Sequence, residues 1–357
     1  MSRLSWLGQA LLPWYDAQRR DLPWRDSADP YAIWLSEVIL QQTRVDQGMA
    51  YWHRFLERFP DVATLAAATE DEVLKLWQGL GYYSRARNLL AAAREIAARH
   101  GGHLPGRYDE LRKLPGIGPY TAAAISSIAF HEPQAAVDGN VYRVLARVFG
   151  IDAPIDQPAG QRRFAELAQQ VLDPARPGDH NQAMMELGAL VCLPKRPVCT
   201  ECPLATRCVA LADGCVDRLP VKAGRTQVRE RHFNFLHIED AGGIFMERRN
   251  GQDIWKGLYQ LPLLETARAA GRAGLLSALR TNVPGPWTGA SKRMEAVHLL
   301  THQRIHLVFW HLQAPSGVEP PSNWFEVGLE KVGELAVPKP IERYLAEVVK
   351  PVRGRRR

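Results

Sequence analysis

The hydrophobic positions divide this chain of 357 residues into a helical part and a mixed part. Up to about residue 215, apolar residues recur at the three- and four-residue spacing that is typical of amphipathic helices. The segments predicted to be helical are Ser5–Arg20, Asp29–Arg44, Val45–Phe59, Glu70–Gln78, Ser84–His100, Tyr108–Leu114, Tyr120–Phe130, Gln161–Leu172 and Asn181–Cys192. We therefore predict a mainly α region over residues 1–215.

The segment that begins at Asp29 carries the first candidate functional residue. Asp29 suits the N-cap of a helix, and Pro30 suits its first turn. Trp34 and Val38 share one face of this helix, and Glu37 lies beside them. We expect the carboxylate of Glu37 to be partly buried.

The pattern changes after Cys215. Residues 216–231 are polar and basic, which predicts a linker, and Asp240-Ala-Gly-Gly243 is typical of a hairpin turn. The segments predicted around that turn are the strands His232–Ile238, Ile244–Arg248 and Arg304–Leu312 and the helices Ala267–Arg280 and Pro340–Val349. We predict an α+β domain over residues 232–349, followed by a basic, solvated tail at residues 350–357.

The stretch Leu114-Pro-Gly-Ile-Gly-Pro-Tyr-Thr-Ala122 joins two helical segments. Gly116 and Gly118 permit the positive φ angles of a tight turn, and Pro119 suits the first position of the next helix. Such a helix-hairpin-helix exposes backbone N–H groups beside a helix N-terminus, where a phosphate binds. The pattern favours a DNA-binding turn over the alternative, an ordinary connection between two helices.

Composition adds a mild preference for polyanions. The net charge is +7 and the isoelectric point is near 9.2. No apolar run approaches the roughly 20 residues that cross a membrane, and residues 1–8 do not resemble a secretion signal. We therefore expect a monomeric protein of the cytoplasm, associated with the nucleoid if it is bacterial, with no membrane contact.

Four of the five cysteines lie close together in the sequence. Their spacing leaves only one short pair, and prolines stiffen the loops between them; the four are Cys192, Cys199, Cys202 and Cys208. Four thiolates suit either a [4Fe–4S] cluster or a tetrahedral Zn²⁺, and the uneven spacing favours the cluster. We expect a structural cluster that directs Lys195 and Arg196 toward DNA phosphates. Cys215 is expected to be a plain thiol.

These motifs together resemble the adenine DNA glycosylases (the MutY family) of the helix-hairpin-helix superfamily. The resemblance extends over most of the first 215 residues, and its motifs are Trp24-Arg25, Ser36–Val45, Gly79–Asn88, Leu114–Ala122, Val137–Val141, Asn181–Gly188 and the four cysteines. It implies a six-helix domain at about 24–131 and a cluster domain from residues 1–23 and 132–215. The implied reaction removes adenine mispaired with 8-oxoguanine or guanine.

The resemblance also implies catalytic roles. Glu37 would protonate the leaving adenine, and Asp138 would stabilise the sugar cation, in line with the two carboxylates of glycosidases. Asn140 and Tyr120 would orient these groups. Taken alone, Glu37 is equally a surface carboxylate paired with Arg44, and Asp138 is equally a helix N-cap.

Residue 120 separates two branches of this superfamily. Enzymes similar to endonuclease III carry lysine there and cleave the strand through a Schiff base. Tyr120 therefore favours a glycosylase without lyase activity. The alternatives are an endonuclease III-like pyrimidine glycosylase/lyase and a non-catalytic iron–sulfur sensor of DNA lesions.

The target base has to leave the duplex before it reacts. By resemblance, Gln42 and Tyr82 would fill the gap beside 8-oxoguanine, while Arg25 and Gln182 would line the adenine pocket. For Tyr82 the alternative is a buried aromatic residue after a glycine-rich turn.

The segment Trp255–Pro262 resembles the Nudix fold of the 8-oxo-dGTP hydrolases. A Nudix hydrolase needs a run of metal-binding glutamates, and only Glu265 follows this segment closely. We therefore expect a domain that recognises oxidised guanine, with Thr301 and His302 at the position of the family's Phe-Ser-His loop. Leu300 replaces the aromatic residue of that loop. The simpler alternative is a domain that only clamps DNA.

Overall fold

A computed structural model describes residues 4–224, 227–240, 242–315 and 318–348. They form two compact units, one built from residues 4–67 and 88–224 and the other from residues 68–87 and 227–348. The predicted basic tail at 350–357 lies outside the described residues. No helix in the described part of the chain is long and apolar enough to cross a membrane.

The helices account for almost all regular structure before residue 215. In chain order these are α1 (Trp6–Gln18), α2 (Pro30–Ile39), α3 (Val45–Arg58), α4 (Val62–Ala67), α5 (Glu70–Trp77), α6 (Ser84–Arg99), α7 (Tyr108–Leu111), α8 (Pro119–Phe130), α9 (Gly139–Phe149), α10 (Pro158–Val171), α11 (Pro177–Leu190) and α12 (Val209–Ala212). Two further helices follow later in the chain, α13 (Arg272–Asn282) and α14 (Lys339–Val348). The strands are β1 (Arg229–Asp240), β2 (Gly243–Arg248), β3 (Tyr259–Gln260), β4 (Leu263–Thr266), β5 (Ser291–Leu300), β6 (Gln303–Gln313) and β7 (Trp324–Val327). The predicted class, a mainly α region followed by an α+β domain, is confirmed.

One core of the first unit combines its two ends. Leu7 and Leu11 of α1 are fully buried in a cluster with Val144 of α9, Phe164 of α10 and Leu187 of α11. Burial of large aliphatic side chains is the dominant favourable term in folding. Helix α1 is therefore held by residues that follow it by more than a hundred positions.

Helix α2 begins as predicted and ends earlier than predicted. The Asp29 carboxylate accepts a hydrogen bond from the Tyr31 backbone N–H at 2.9 Å, as an N-cap should. The helix stops at Ile39 rather than at Arg44, and Gln42 has a φ of 58°. A left-handed residue interrupts the α-helical hydrogen bonds, and the apolar pattern, which continues into α3, gives no sign of this break.

The hairpin between α7 and α8 is confirmed. Pro119 occupies the first turn of α8, and Gly116 has a φ of 73°. Gly118 is the N-cap of α8 with a φ of −80°, so the positive angle expected there is not adopted. A Cβ atom on Gly116 would lie 2.5 Å from the Asn88 Cβ, so both the backbone angle and the space require glycine. The first helix is shorter than predicted, because α7 ends at Leu111.

A mixed sheet forms the centre of the second unit. Its strand order is β3-β2-β1-β6-β5, with β4 also paired to β1 and β7 to β2. Strands β1 and β6 are parallel, and β5 and β6 form an antiparallel pair. Helix α14 covers one face, where Tyr344 stacks on Phe309, and α13 covers the other, where Leu279 packs near Trp310.

One predicted element of this domain has the wrong start, and one strand was missed. The helix predicted at Ala267–Arg280 begins at Arg272, because residues up to Thr266 form β4 against β1. Strand β5 was not predicted at all. It is an edge strand with most side chains exposed, so it lacks the alternation of apolar and polar residues that identifies a half-buried strand.

Helix α5 is bound tightly within the second unit. The Lys75 ammonium donates to the backbone carbonyls of Gly333 at 2.6 Å and Leu335 at 3.0 Å. The Asp71 carboxylate accepts hydrogen bonds from Arg248 at 3.0 Å and from the Tyr259 hydroxyl at 2.9 Å. Residues 68–87 therefore belong with the sheet domain, although the helical region continues on both sides of them in sequence.

Candidate active site

The first unit contains a cavity of about 640 Å³ with charged and aromatic walls. Its wall comes from α2, from the loop that follows α2, and from the starts of α8 and α9, with α11 completing it. The predicted residues that line it are Arg25, Glu37, Gln42, Tyr120, Asp138, Asn140 and Gln182. Folding thus brings together positions that span more than 150 residues of sequence.

Glu37 and Tyr120 form a hydrogen-bonded pair in the wall of this cavity. The Tyr120 hydroxyl donates to Glu37 Oε2 at 2.7 Å and lies 3.1 Å from Met185 Sδ. Burial raises the pKa of Glu37 to about 7, although the hydrogen bond from Tyr120 opposes that change. Glu37 therefore bears a proton far more often at neutral pH than an exposed glutamate does.

Asp138 sits at the start of α9. Its Oδ1 accepts from the Val141 backbone N–H and its Oδ2 from the Asn140 side-chain amide, both at 2.8 Å. Burial raises the pKa of Asp138, and these hydrogen bonds act in the opposite direction. The N-cap interpretation of Asp138 is correct, and it is compatible with a position in the cavity wall.

Arg143 fixes the side chain of Asn140. It donates to the Asn140 side-chain oxygen and to the Gly188 carbonyl, each at 2.7 Å. A third bond of 2.7 Å reaches the backbone carbonyl of Cys192. The Asn140 amide therefore has a fixed orientation toward Asp138.

Arg25 makes a forked ion pair in the wall of the same cavity. Its guanidinium donates to both carboxylate oxygens of Glu186 at 3.0 and 2.7 Å, and Arg20 binds the same oxygens at 2.9 and 2.6 Å. Burial raises the pKa of Glu186, but the hydrogen bonds from the two arginines outweigh it and hold the pKa at about 2. This carboxylate is permanently ionised in the cavity wall, beside the buried Gln182.

The four clustered cysteines also meet in space. All four line one small cavity beneath α9 and α11, and the Arg147 guanidinium lies 3.3 Å from Cys192 Sγ. Within the described residues, no group of three or more His, Cys, Asp or Glu side chains is arranged to hold a single metal ion. Lys195 and Arg196 are exposed on the adjoining loop, as predicted.

The second unit holds the other predicted DNA contacts. Tyr82 is 51% exposed, so the interpretation as a buried aromatic residue is wrong. Its hydroxyl lies 3.0 Å from Thr301 Oγ1, and either group could donate. Thr301 and His302 are both exposed at the turn between β5 and β6.

Comparison with known proteins agrees with this geometry. The family described as HhH-GPD superfamily base excision DNA repair protein matches residues 35–170, and a NUDIX domain matches residues 234–347. Adenine DNA glycosylase of Mus musculus is 37% identical, over 88% of this chain and 72% of its own length. The Homo sapiens protein of that name is 36% identical, over 88% and 69%.

The chain belongs to the adenine DNA glycosylase family. A relative of that name from Buchnera aphidicola (strain Sg) is 29% identical over 94% of this chain and 97% of its own. This DNA glycosylase therefore binds DNA and acts in base excision repair. The membership of this family that the sequence motifs predicted is confirmed.

Solved structures confirm the fold of the helical part of this glycosylase. A thermostable thymine-DNA glycosylase is 28% identical with a TM-score of 0.54, covering 58% of this chain and 95% of that one. An endonuclease III in a DNA complex is 22% identical with a TM-score of 0.51, covering 60% and 99%. The second likeness concerns the fold alone.

Glu186 is a component of the site that was not predicted from the sequence. It lies four residues after Gln182, within the segment Asn181–Gly188 that carried part of the resemblance. The i to i+4 spacing places Gln182 and Glu186 on the same face of a helix. This spacing indicated that Glu186 shares a helix face with Gln182. It gave no sign of the arginines that bind Glu186, because Arg20 and Arg25 are distant in sequence.

Proposed function

We propose that this adenine DNA glycosylase removes adenine paired with 8-oxoguanine, or with guanine, by hydrolysis and without cutting the strand. The observation that carries the proposal is the presence of a carboxyl group with a pKa near 7 and a second carboxylate in one cavity. Glycosidases use such a pair, one member as acid and the other to stabilise the sugar cation.

Glu37 is the acid in this proposal. Its carboxyl proton moves to N7 of adenine while the bond between C1′ and N9 breaks, and the bonding electrons leave with the base. Protonation is needed because the adenine anion is a poor leaving group. The Tyr120 hydroxyl, at 2.7 Å from Glu37, keeps the acid oriented.

Asp138 stabilises the positive charge that develops at C1′. Its bonds from Asn140 and Val141 fix the carboxylate before the reaction begins, so little reorganisation is needed in the transition state. Water then adds to C1′, either directly or by displacing Asp138 from a covalent adduct, and the proton that it loses returns to the Glu37 carboxylate. The products are free adenine and an abasic site.

Arg25, Gln182 and Glu186 are proposed to line the adenine pocket. The Gln182 side-chain amide offers both a donor and an acceptor to adenine, whereas the oxygens of the buried Glu186 already accept hydrogen bonds from Arg20 and Arg25. Arg25 is held in place by that same carboxylate. The pocket therefore presents both a donor and an acceptor to the flipped base.

Hydrolysis without strand cleavage is favoured by the composition of the cavity wall. A lyase needs an amine nucleophile to form a Schiff base with the sugar. Position 120 bears a phenol that is engaged with Glu37, and none of the described residues that line the cavity is a lysine.

Recognition of the opposite base is proposed for Gln42, Tyr82, Thr301 and His302. Gln42 and Tyr82 are exposed residues with left-handed backbone angles, which is unusual for side chains of this size. The Thr301 hydroxyl both donates and accepts hydrogen bonds. It is therefore suited to read an oxidised guanine, while Gly116 and Gly118 of the hairpin hold a phosphate.

We propose that Cys192, Cys199, Cys202 and Cys208 hold a [4Fe–4S] cluster. Four thiols line one cavity, and their uneven spacing in the sequence favours the cluster over zinc. The bound cluster would supply rigidity to the loop of Lys195 and Arg196, which is proposed to contact phosphates. A cytoplasmic, DNA-associated location is part of the same proposal.

Single-turnover release of adenine tests the proposed function. Duplexes with adenine opposite 8-oxoguanine or guanine would be compared with duplexes that contain oxidised pyrimidines, using protein loaded with iron and sulfide. We expect release of adenine alone, with strand breaks only after alkali treatment. Release of pyrimidines, or breaks without alkali, would contradict the proposal.

Glu37→Gln tests the proposed role of Glu37 as the acid. Glu37→Gln retains a hydrogen-bond acceptor for Tyr120 but has no proton to give at a suitable pKa. We expect release to fall by at least about a thousandfold, in line with the loss of a general acid, with binding to the duplex unchanged. Turnover at the wild-type rate would refute the role of Glu37.

A further inference from the structure

The loop between α5 and α6 holds Tyr82 in a conformation that the isolated chain disfavours. Its backbone has positive φ angles at three places, 99° at Gly79, 74° at Gly81 and 46° at Tyr82. Glycine adopts such angles without cost, but tyrosine does not. Contacts from the surrounding structure must therefore keep Tyr82 in this arrangement.

Arg85 supplies those contacts from the first turn of α6. Only 8% of its surface is exposed, and its guanidinium carbon lies 5.0 Å from the centre of the Trp77 ring and 5.7 Å from that of Tyr82. Nη2 also approaches the backbone carbonyl oxygens of Leu80 at 3.4 Å and Gly81 at 3.3 Å. One side chain thus touches the Tyr82 ring and both carbonyls that precede it.

The charge of Arg85 persists under working conditions. Burial lowers its pKa to about 10, which still leaves the group protonated at neutral pH. The Trp77 indole N–H donates to the same Gly81 carbonyl at 3.0 Å. This carbonyl therefore has two donors, and the loop cannot rotate without losing both.

We propose that Arg85 is a positioning residue that holds the Tyr82 ring ready to enter the duplex beside the base opposite adenine. The inference rests on the proposed function, in which Tyr82 contacts that base. Arginine is required because its planar group can stack on rings while its N–H groups bind carbonyls, and lysine cannot do both. The contact acts before DNA binds, since it orders a side chain that is otherwise half exposed.

A double-mutant cycle between Arg85 and Tyr82 tests this role. The rate of adenine release opposite 8-oxoguanine would be measured in single turnover for Arg85→Lys, Tyr82→Ala and the double variant. We expect Arg85→Lys to slow release by about tenfold in the wild-type background, as desolvated cation–π contacts and shared hydrogen bonds suggest. In the Tyr82→Ala background the same change should alter the rate by less than about twofold, because coupled residues are not additive.

Arg87→Lys is the matched control. Arg87 lies on the same helix and donates to the Lys256 carbonyl at 2.5 Å, away from the Gly79–Tyr83 loop. Any effect of Arg87→Lys should be the same with and without Tyr82. Arg85→Gln, which keeps an N–H donor but loses the charge, would complete the cycle if Arg85→Lys does not fold.

The possible results are distinct. An equal loss of rate from Arg85→Lys in both backgrounds would overturn the positioning role and leave the proposed function intact. Failure of the wild-type protein to release adenine would instead overturn the proposed function, and the inference with it. Coupling that is specific to Arg85 and Tyr82 supports the inference.

Discussion

Glu37 and Asp138 share one cavity but differ in what surrounds each carboxyl group. Burial raises the pKa of both, to about 7 for Glu37, while backbone and side-chain N–H groups stabilise the ionised form of Asp138. Glu37 receives a single hydrogen bond from a phenol. The two environments therefore assign the proton to Glu37 and the negative charge to Asp138.

A bell-shaped pH profile follows from this division. Release requires Glu37 protonated, so the single-turnover rate should fall as pH rises above about 7, approaching tenfold per pH unit. It requires Asp138 ionised, so the rate should also fall toward acid pH. The measurement is the rate of adenine release between pH 5 and 9, with duplex affinity recorded at each pH.

Tyr120→Phe provides the control for the alkaline limb. The bond from Tyr120 lowers the pKa of Glu37, so its removal should move this limb to higher pH while the maximal rate falls. A limb that moved to lower pH, or a wild-type rate that rose through pH 8, would contradict the assignment of Glu37.

At the scale of elements, α5 depends on contacts within the second unit rather than on its own length. Eight residues are too few for an isolated helix to be stable in water. Asp71→Asn weakens the hydrogen bonds that Asp71 accepts from Arg248 and Tyr259. Because the ion pair of Asp71 and Arg248 is partly exposed, its loss should destabilise α5 by about 0.5–1 kcal/mol. We expect amide hydrogen exchange in Glu70–Trp77 to become about two- to fivefold faster.

Asp16→Asn serves as the control for this prediction. Asp16 forms a similarly exposed ion pair with Arg176 in the first unit. Exchange in α5 should remain unchanged in that variant. Equal rates in Asp71→Asn and wild type would show that the carboxylate does not stabilise α5.

The sequence predicted elements where local chemistry determines them. Asp29, Pro30 and Pro119 fix helix starts through capping and through the geometry of proline, and these starts were correct. The break at Gln42 was missed because the apolar pattern continues from α2 into α3, and the edge strand β5 was missed because its mostly exposed side chains lack the alternation of a half-buried strand. A different limit applies to the site, where Glu186 gains its role from arginines 161 and 166 positions away.

At the scale of the whole molecule, the proposed function places discrimination between 8-oxoguanine and guanine in the second unit. Thr301→Ala removes one hydroxyl at the exposed turn and leaves the helical cavity intact. We expect the ratio of single-turnover rates opposite 8-oxoguanine and guanine to fall about three- to tenfold, the value of one hydrogen bond. Release opposite guanine should change little.

Thr281→Ala is the matched variant within the same unit. Thr281 is an exposed residue of α13 whose hydroxyl donates to the Ser277 carbonyl. Its replacement should leave the ratio unaltered. If the ratio of rates opposite 8-oxoguanine and guanine is unchanged in Thr301→Ala, another group distinguishes the two bases.

The hydrogen bond between Arg20 and Glu186 can form only late in the synthesis of the chain. The two residues are 166 positions apart, which a ribosome covers in roughly 10 to 30 seconds. During that interval the apolar face of α1 has none of its final partners from α11, and Arg25 has no carboxylate to orient it. A nascent chain is therefore exposed to aggregation early, and the cavity wall that contains Arg25 and Glu186 is complete only after α11 has been synthesised.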